Sequence, residues 1–364
     1  MKAFVFALAF AAASSAASAQ SLKPVVVAKG LEHPWGLAFL PEGRMLVTER
    51  PGRMRIVERD GTLNPPLTGL PPVVAAGQGG LLDVVLHPQF ASNRLVYWSY
   101  SEAGDGGSAT AVARARLDGN RLADVQVIFR QLPKVGGGNN HFGSRLVWAR
   151  DGSLFVGLGD RFGRKDDAQT LDNHMGKVVR IDADGKPVPS NPFVSRAGAR
   201  PEIWSYGHRN IQGAALHPDS GELWTVEHGP QGGDELNVPA AGANHGWPVI
   251  TYGRNYGIGT TIGDGTERAD IAPPVRHWVP TSIAPAGMAF LTSDRYPGWK
   301  GNLFIGTLRG AHLVRLELDG RKVMREEKLL TDRNTRIRDV RQGPDGWLYV
   351  LTDSPDGQLW RLER

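Results

Sequence analysis

Apolar positions along this chain fall into a unit that recurs six times. Each unit is an apolar strand-like run, a turn rich in Pro, Asp or Gly, and a second apolar run that ends in small or polar residues. The copies are LAFLPEGRMLVTE from Leu37, VVLHPQFASNRLVYWSY from Val84 and LVWARDGSLFVGLGD from Leu146. Three more follow: AALHPDSGELWTVEHG from Ala214, MAFLTSDRYPGWKGNLFIGTL from Met288 and VRQGPDGWLYVLTD from Val340. Further strand-like runs such as MRIVERDG, VARARLDG, GKVVRIDADG and HLVRLELDG lie between the copies. Each unit therefore has four short strands. Four-stranded units repeated radially hide their sheet edges, which predicts an all-β, six-bladed β-propeller of four-stranded antiparallel blades. A pair of β-sandwiches fits the long, irregular spacing less well. The terminal run QLWRLER is placed to close the ring by pairing with the first N-terminal strand.

Composition supports this picture and adds a location. The 364 residues include 46 Gly and 25 Pro, the balance of a turn-rich β protein. Cysteine is absent, which rules out thiolate chemistry and disulfide staples. The N-terminus has Lys2, an apolar run over residues 3–13, and Ala17-Ser18-Ala19 before Gln20. That is the pattern of a secretory signal over residues 1–19, cleaved after Ala19, leaving residues 20–364 as a single propeller domain, exported to the periplasm. No later run is long enough for a membrane span. The formal charge is +5, but the basic residues are scattered among acids, so nucleic acid is not an expected partner.

Five constellations carry candidate chemistry. Gly136–Gly137–Gly138 leads into Asn139, Asn140 and His141, directly before a strand. A histidine there serves either as a general base, with a pKa near neutrality, or as a cap on the strand end. GHRN places Arg209 after an apolar run, where it either binds or stabilises an anion or forms a loop salt bridge. EHGPQGGDELN offers turn carbonyls at Gly229 and Pro230 and carboxylates at Asp234 and Glu235, either a Ca²⁺ site or an ordered turn. Arg336 and Arg338, two apart in TRIRDV, share one side of a strand, either as an anion clamp or as an outer polar face. Gln78 sits in the glycine setting GQGGLLD. His87, His174 and His217 read as structural. The longest insertions, over residues 161–200 and 237–285, are expected to gather on one face and shape a site.

Together, and in this order, these segments resemble the soluble quinoprotein glucose dehydrogenases, in particular the periplasmic aldose sugar dehydrogenases of the glucose/sorbosone dehydrogenase group. The resemblance runs from Leu31 to Arg364 and includes NHFGSRLVWARDGSLFVGLGDRF, GHRNIQG, NHGWPVITYG and PAGMAF. It implies pyrroloquinoline quinone (PQQ) held in a central cleft with Ca²⁺, and oxidation of an aldose at C1 to its lactone. By matching position, His141 is the base and Arg209 lies near the reacting quinone carbonyl. Gln78, Asn210, Arg309, Arg336 and Arg338 contact the cofactor, and the carbonyls of Gly229 and Pro230 hold the ion. Glu235 is implied for a second ion. Arg309 stands where the group commonly has lysine, and Asn140 where glucose-specific members have aspartate, which leaves a broad aldose range as the expectation. Electrons would pass to an external acceptor, and the protein would be a monomer or homodimer. Two other readings stay open: a Ca²⁺-dependent propeller lactonase or hydrolase, and a non-catalytic propeller that binds sugar or protein.

Overall fold

The apolar runs of the inner strand pairs are buried along nearly their whole length, so each pair packs against its neighbours on both sides, and the result is a ring of six sheets. The computed structural model describes residues 22–364, so the expected signal segment lies outside the described residues. The innermost and second strands of the six blades are, in order, Pro34–Phe39 with Met45–Glu49, Leu81–Leu86 with Leu95–Gly104, and Gly143–Trp148 with Leu154–Leu158. Ile211–Leu216 with Leu223–Glu227, Pro285–Phe290 with Leu303–Thr307, and Ile337–Gln342 with Leu348–Thr352 complete the set. Each of the six repeated sequence units coincides with one such pair to within a few residues. No helix among the described residues is long and apolar enough to cross a membrane.

The ring closes as expected. Lys23–Leu31 pairs antiparallel with Gly357–Glu363, Lys23 opposite Glu363 and Val26 opposite Trp360, so the first strand completes the last blade. Five blades have four strands, and the first has three. Its chain continues as TLNPPL, in which Leu63 makes a single bridge back to Val57 at the end of the third strand. Pro65 and Pro66 follow; without N–H groups they cannot extend a ladder.

The core lies between blades, not within one. Leu46 and Ile56 of the first blade pack on Val84 and Trp98 of the second. Trp224 and Val226 of the fourth pack on Met288 and Ile305 of the fifth. Leu37 and Val47 of the first meet Leu351 and Leu359 of the last. His87 and His217 belong to this packing, with ring edges against Trp148 (5.2 Å) and Phe290 (4.9 Å). The buried His174 accepts the backbone N–H of Leu132 on Nδ1 (3.0 Å). These three histidines are structural.

Candidate active site

An antiparallel strand pair begins and ends on the same side. The entries to the six innermost strands and the exits from the six second strands therefore converge on one face of the ring, and most of the predicted residues meet there. Two adjoining cavities open among them. One, of about 340 Å³, is lined by Trp35, Arg50, Gln78, Gln212, His228, Arg336, Arg338 and Asp353. The other, of about 160 Å³, is lined by His141, Asp160, Phe162, Lys165, Arg209, Trp247 and Tyr256, with Pro230 beside them. They share walls, because Gln78 Oε1 accepts the His141 backbone N–H (2.8 Å) and Arg209 Nη1 donates to the His228 carbonyl (2.8 Å).

His141 is buried in a left-handed backbone conformation (φ 55°), which is uncommon outside glycine and marks a position the surroundings impose. Gly159 is part of that imposition: a Cβ there would meet the His141 carbonyl oxygen at 2.1 Å. Arg161, also buried, donates to the carbonyls of Gly138 and Asn140 and stacks on Phe142 at 3.7 Å, tying down the His141 loop. In the glycine run, Gly137 is held in the left-handed region (φ 78°) and a Cβ on Gly136 would meet the Gly106 carbonyl oxygen at 3.0 Å, whereas one on Gly138 would meet nothing within 4 Å.

The His141 ring Nδ1 lies 2.6 Å from Asp160 Oδ1. Asp160 also accepts the Trp247 indole N–H on Oδ2 (2.8 Å) and the Phe162 backbone N–H on Oδ1 (2.8 Å). Burial alone would raise the Asp160 pKa, but the His141 hydrogen bond and the Arg209 charge outweigh it and hold the group below the usual carboxylate range. Burial, followed in size by the opposing Asp160 bond and then the Arg209 charge, leaves His141 below its ordinary value. The aspartate is thus an ionised acceptor and the imidazole neutral. Nδ1 must carry the proton, and Nε2 is left as the basic nitrogen.

Arg209 is braced from several sides. Its backbone N–H donates to Glu227 Oε2 (2.5 Å), Nη1 reaches the Gly229 carbonyl (2.5 Å), and Nη2 reaches the Tyr256 hydroxyl (3.3 Å). Asn210 accepts the Gly143 N–H on Oδ1 (3.2 Å). Arg336 and Arg338 do share a side, both donating to Asp353 Oδ2 (2.6 and 3.0 Å), and Arg338 Nη1 also donates to Gln212 Oε1 (3.0 Å). Burial and the neighbouring Arg338 and Arg209 charges push His228 far below its ordinary value, so it stands neutral with Nε2–H donating to the Pro285 carbonyl (2.8 Å).

Two predicted residues are placed elsewhere. The Arg309 side chain is exposed, and its neighbour Leu308 lines the larger cavity instead. Glu235 does not join Gly229 and Pro230. Adjacent strand residues point to opposite sides: Asp234 turns to the Gly229 N–H (2.9 Å), whereas Glu235 faces a third cavity of about 430 Å³ with His245 and Tyr252. Sequence reasoning also passed over Asp160, Trp247, His228, Asp353 and Arg161. Only Asp160 left a local signal, as the acid ending the strand of GLGD in the His141 hairpin.

Residues 31–361 match the family model for glucose/sorbosone dehydrogenases. The chain is 49% identical to the aldose sugar dehydrogenase YliI of Escherichia coli K12 over 337 residues, covering 91% of this chain and 90% of that protein. This chain is a glucose/sorbosone dehydrogenase family member. With that membership it is an oxidoreductase. Among solved structures, the fold is similar to the apo-form of soluble aldose sugar dehydrogenase from E. coli, at 47% identity and a TM-score of 0.91, covering 94% of this chain and 99% of that one. It is also similar to the PQQ-bound form of aldose sugar dehydrogenase from Streptomyces coelicolor, at 30% identity and a TM-score of 0.77, covering 94% of this chain and 98% of that one.

Proposed function

We propose that this family member is a PQQ- and Ca²⁺-dependent dehydrogenase that oxidises aldoses at C1 to lactones in the periplasm and passes the electrons to an external acceptor. The carrying observation is an arginine-lined cavity, with Arg50, Arg336 and Arg338 against the single carboxylate of Asp353, adjoining a neutral histidine backed by an ionised aspartate.

The residues fit an anionic, carbonyl-bearing group. Three buried donors have no protein partner: Arg209 Nε, Asn210 Nδ2 and Arg338 Nε. Orphaned buried donors of this kind are costly unless a ligand supplies acceptors. In this reading Arg336 and Arg338 hold the cofactor carboxylates, while Gln78, Asn210 and Arg209 contact the quinone. For the ion, the Gly229–Pro230 turn offers two neutral carbonyls, and the Gly229 oxygen already accepts from Arg209. Ca²⁺ takes six to eight oxygens, so most must come from PQQ and water, and ion and cofactor are expected to bind together. Glu235 lies outside this set. When bound, PQQ supplies a two-electron hydride acceptor and Ca²⁺ a Lewis acid beside it.

This chain's part is to place the sugar and move a proton. His141 Nε2 takes the proton of the C1 hydroxyl as the C1–H hydride leaves and the C1 carbonyl forms. Asp160 orients the ring and offsets the charge of the imidazolium. Arg209 would stabilise the negative charge that a carbonyl gains on its oxygen when its carbon accepts the hydride. Phe162 and Tyr256, both exposed at the mouth, offer aromatic faces to a sugar. A lactonase would keep a metal and a histidine but has no use for the arginine pair.

Reconstitution tests the proposal. Purified protein stripped with EDTA is mixed with PQQ, Ca²⁺, an aldose and a dye acceptor, and dye reduction is expected only when all are present. Silence across a panel of aldoses, with no PQQ binding by titration, would sink the dehydrogenase reading.

A further inference from the structure

A buried guanidinium on the propeller axis touches three walls of the larger cavity without lining it. Arg145, on the innermost strand of the third blade, is 1% exposed. Nε donates to the Gln212 carbonyl of the fourth blade (2.6 Å), and Nη2 to the Arg338 carbonyl of the sixth (3.0 Å). Its guanidinium carbon lies 4.0 Å from the ring of Trp35 in the first blade. Gln212, Arg338 and Trp35 all line the 340 Å³ cavity. The remaining nitrogen, Nη1, donates to Asp83 (3.3 Å) and pairs with Asp339 (3.0 Å). One side chain thus links blades one, two, four and six from the third.

A near-equivalent charge provides an internal control. Arg341 pairs with the same two carboxylates, Nη2 with Asp83 (2.8 Å) and Nε with Asp339 (2.9 Å). It faces the other way, into a hollow at the opposite mouth of the ring beside Trp148 and Phe290. Asp83, Asp339, Arg145 and Arg341 together form an ion-pair plug between that hollow and the cavity. Only Arg145 reaches the cavity walls.

We infer that Arg145 is a positioning residue for the cofactor: through the Gln212 and Arg338 backbones and the Trp35 ring, it sets the spacing of three walls that grip PQQ. The inference rests on the PQQ reading proposed above. A planar fork with three engaged nitrogens and a stacked face is not reproduced by a lysine, which retains the charge alone. Arg145→Lys should therefore loosen the cavity while leaving the central charge balance intact.

The test compares Arg145→Lys with Arg341→Lys, each as the full chain without cofactor. Melting temperature reports the loss from the plug, and PQQ titration followed by tryptophan fluorescence reports the grip. Both variants are expected to melt earlier. Only Arg145→Lys should raise the PQQ Kd, by about tenfold or more, while Arg341→Lys stays near wild type. Should Arg145→Lys not fold, Asp83→Asn, which slackens the anchor of Nη1 at constant size, is expected to raise the Kd several-fold. An unchanged Kd in Arg145→Lys or its substitute, or an equal rise in Arg341→Lys, overturns the inference while the PQQ reading stands. Wild-type protein that binds no PQQ overturns both.

Discussion

Two clusters of carboxylate, histidine and amide side chains sit back to back across Arg209, and their electrostatics are opposite. In the first, Asp160 faces a histidine, an indole N–H and a backbone N–H, and its pKa falls. In the second, Glu235 faces Glu227, with Asn237 Nδ2 donating to both carboxylates (2.8 and 3.1 Å). Burial and then the Glu227 charge push Glu235 up to about 8. His208 donates to Glu227 from Nδ1 (2.9 Å) and stacks on His245, whose two ring nitrogens are buried without a partner. Similar residue types therefore yield a carboxylate held ionised in one place and a carboxyl pressed upward by a like charge in the other. The difference is one of partners: three donors converge on Asp160, whereas Glu235 must share the Asn237 amide with Glu227, which also takes the His208 and Arg209 donors. The clusters still touch, since Glu227 holds the Arg209 backbone.

The strongest way to break the comparison is His141→Ala. Loss of the base is expected to lower kcat by about 10²–10⁴-fold with PQQ binding retained, read by dye reduction and by cofactor titration. Near-normal turnover would show that the base lies elsewhere.

Asp160→Asn sharpens it. Because Asp160 raises the His141 pKa against burial and Arg209, its removal should lower that pKa further. The plateau of kcat/KM is expected to fall by about 10²-fold or more, while its acid limb moves to lower pH. An acid limb that does not move would mean that Asp160 does not act through His141.

Trp247→Phe removes one donor to Asp160 and leaves the pair itself. Losing a hydrogen bond to a charged group costs about 1.5–3 kcal/mol. The expected outcome is a lower melting temperature and a modest fall in kcat, smaller than for Asp160→Asn.

Glu235→Gln probes the opposing cluster and should have the smallest effect on turnover. The sign follows from linkage: a carboxyl whose folded pKa is raised contributes stability below its unfolded value, and this is lost as pH rises toward about 8. In metal-free protein the variant should melt like wild type in acid and above it at alkaline pH. Equal melting curves at both ends would remove the like-charge account. If Ca²⁺ binds at this wall, the ion should raise the melting temperature of wild type and not of the variant.

Much of this was legible beforehand because it is local. Apolar runs on either side of a Pro, Asp or Gly turn marked the six strand pairs from Leu37 to Val340, since facing strands of a hairpin are neighbours in sequence. Histidine before a strand marked His141, and the i, i+2 spacing marked Arg336 and Arg338, which do share Asp353. Residue type and a short-range backbone rule were enough for each. Asp160, Trp247 and His228 were not legible in the same way. Trp247 lies 87 positions from the aspartate it donates to, inside an irregular insertion with no period to read. Glu235, grouped in sequence with the Gly229 turn and implied for a second ion, is turned by strand alternation to the far side of that strand.

The sequence by itself therefore determined the blades and the closing strand, because these depend on apolar runs and turn residues within a few positions. The tertiary structure alone decided which acid backs His141, which carboxylates repel one another, and that Arg145 ties four other blades into one wall. Those are matters of a few ångströms between segments far apart in the chain, and the strength of a buried charge depends on that distance and on nothing a local pattern encodes.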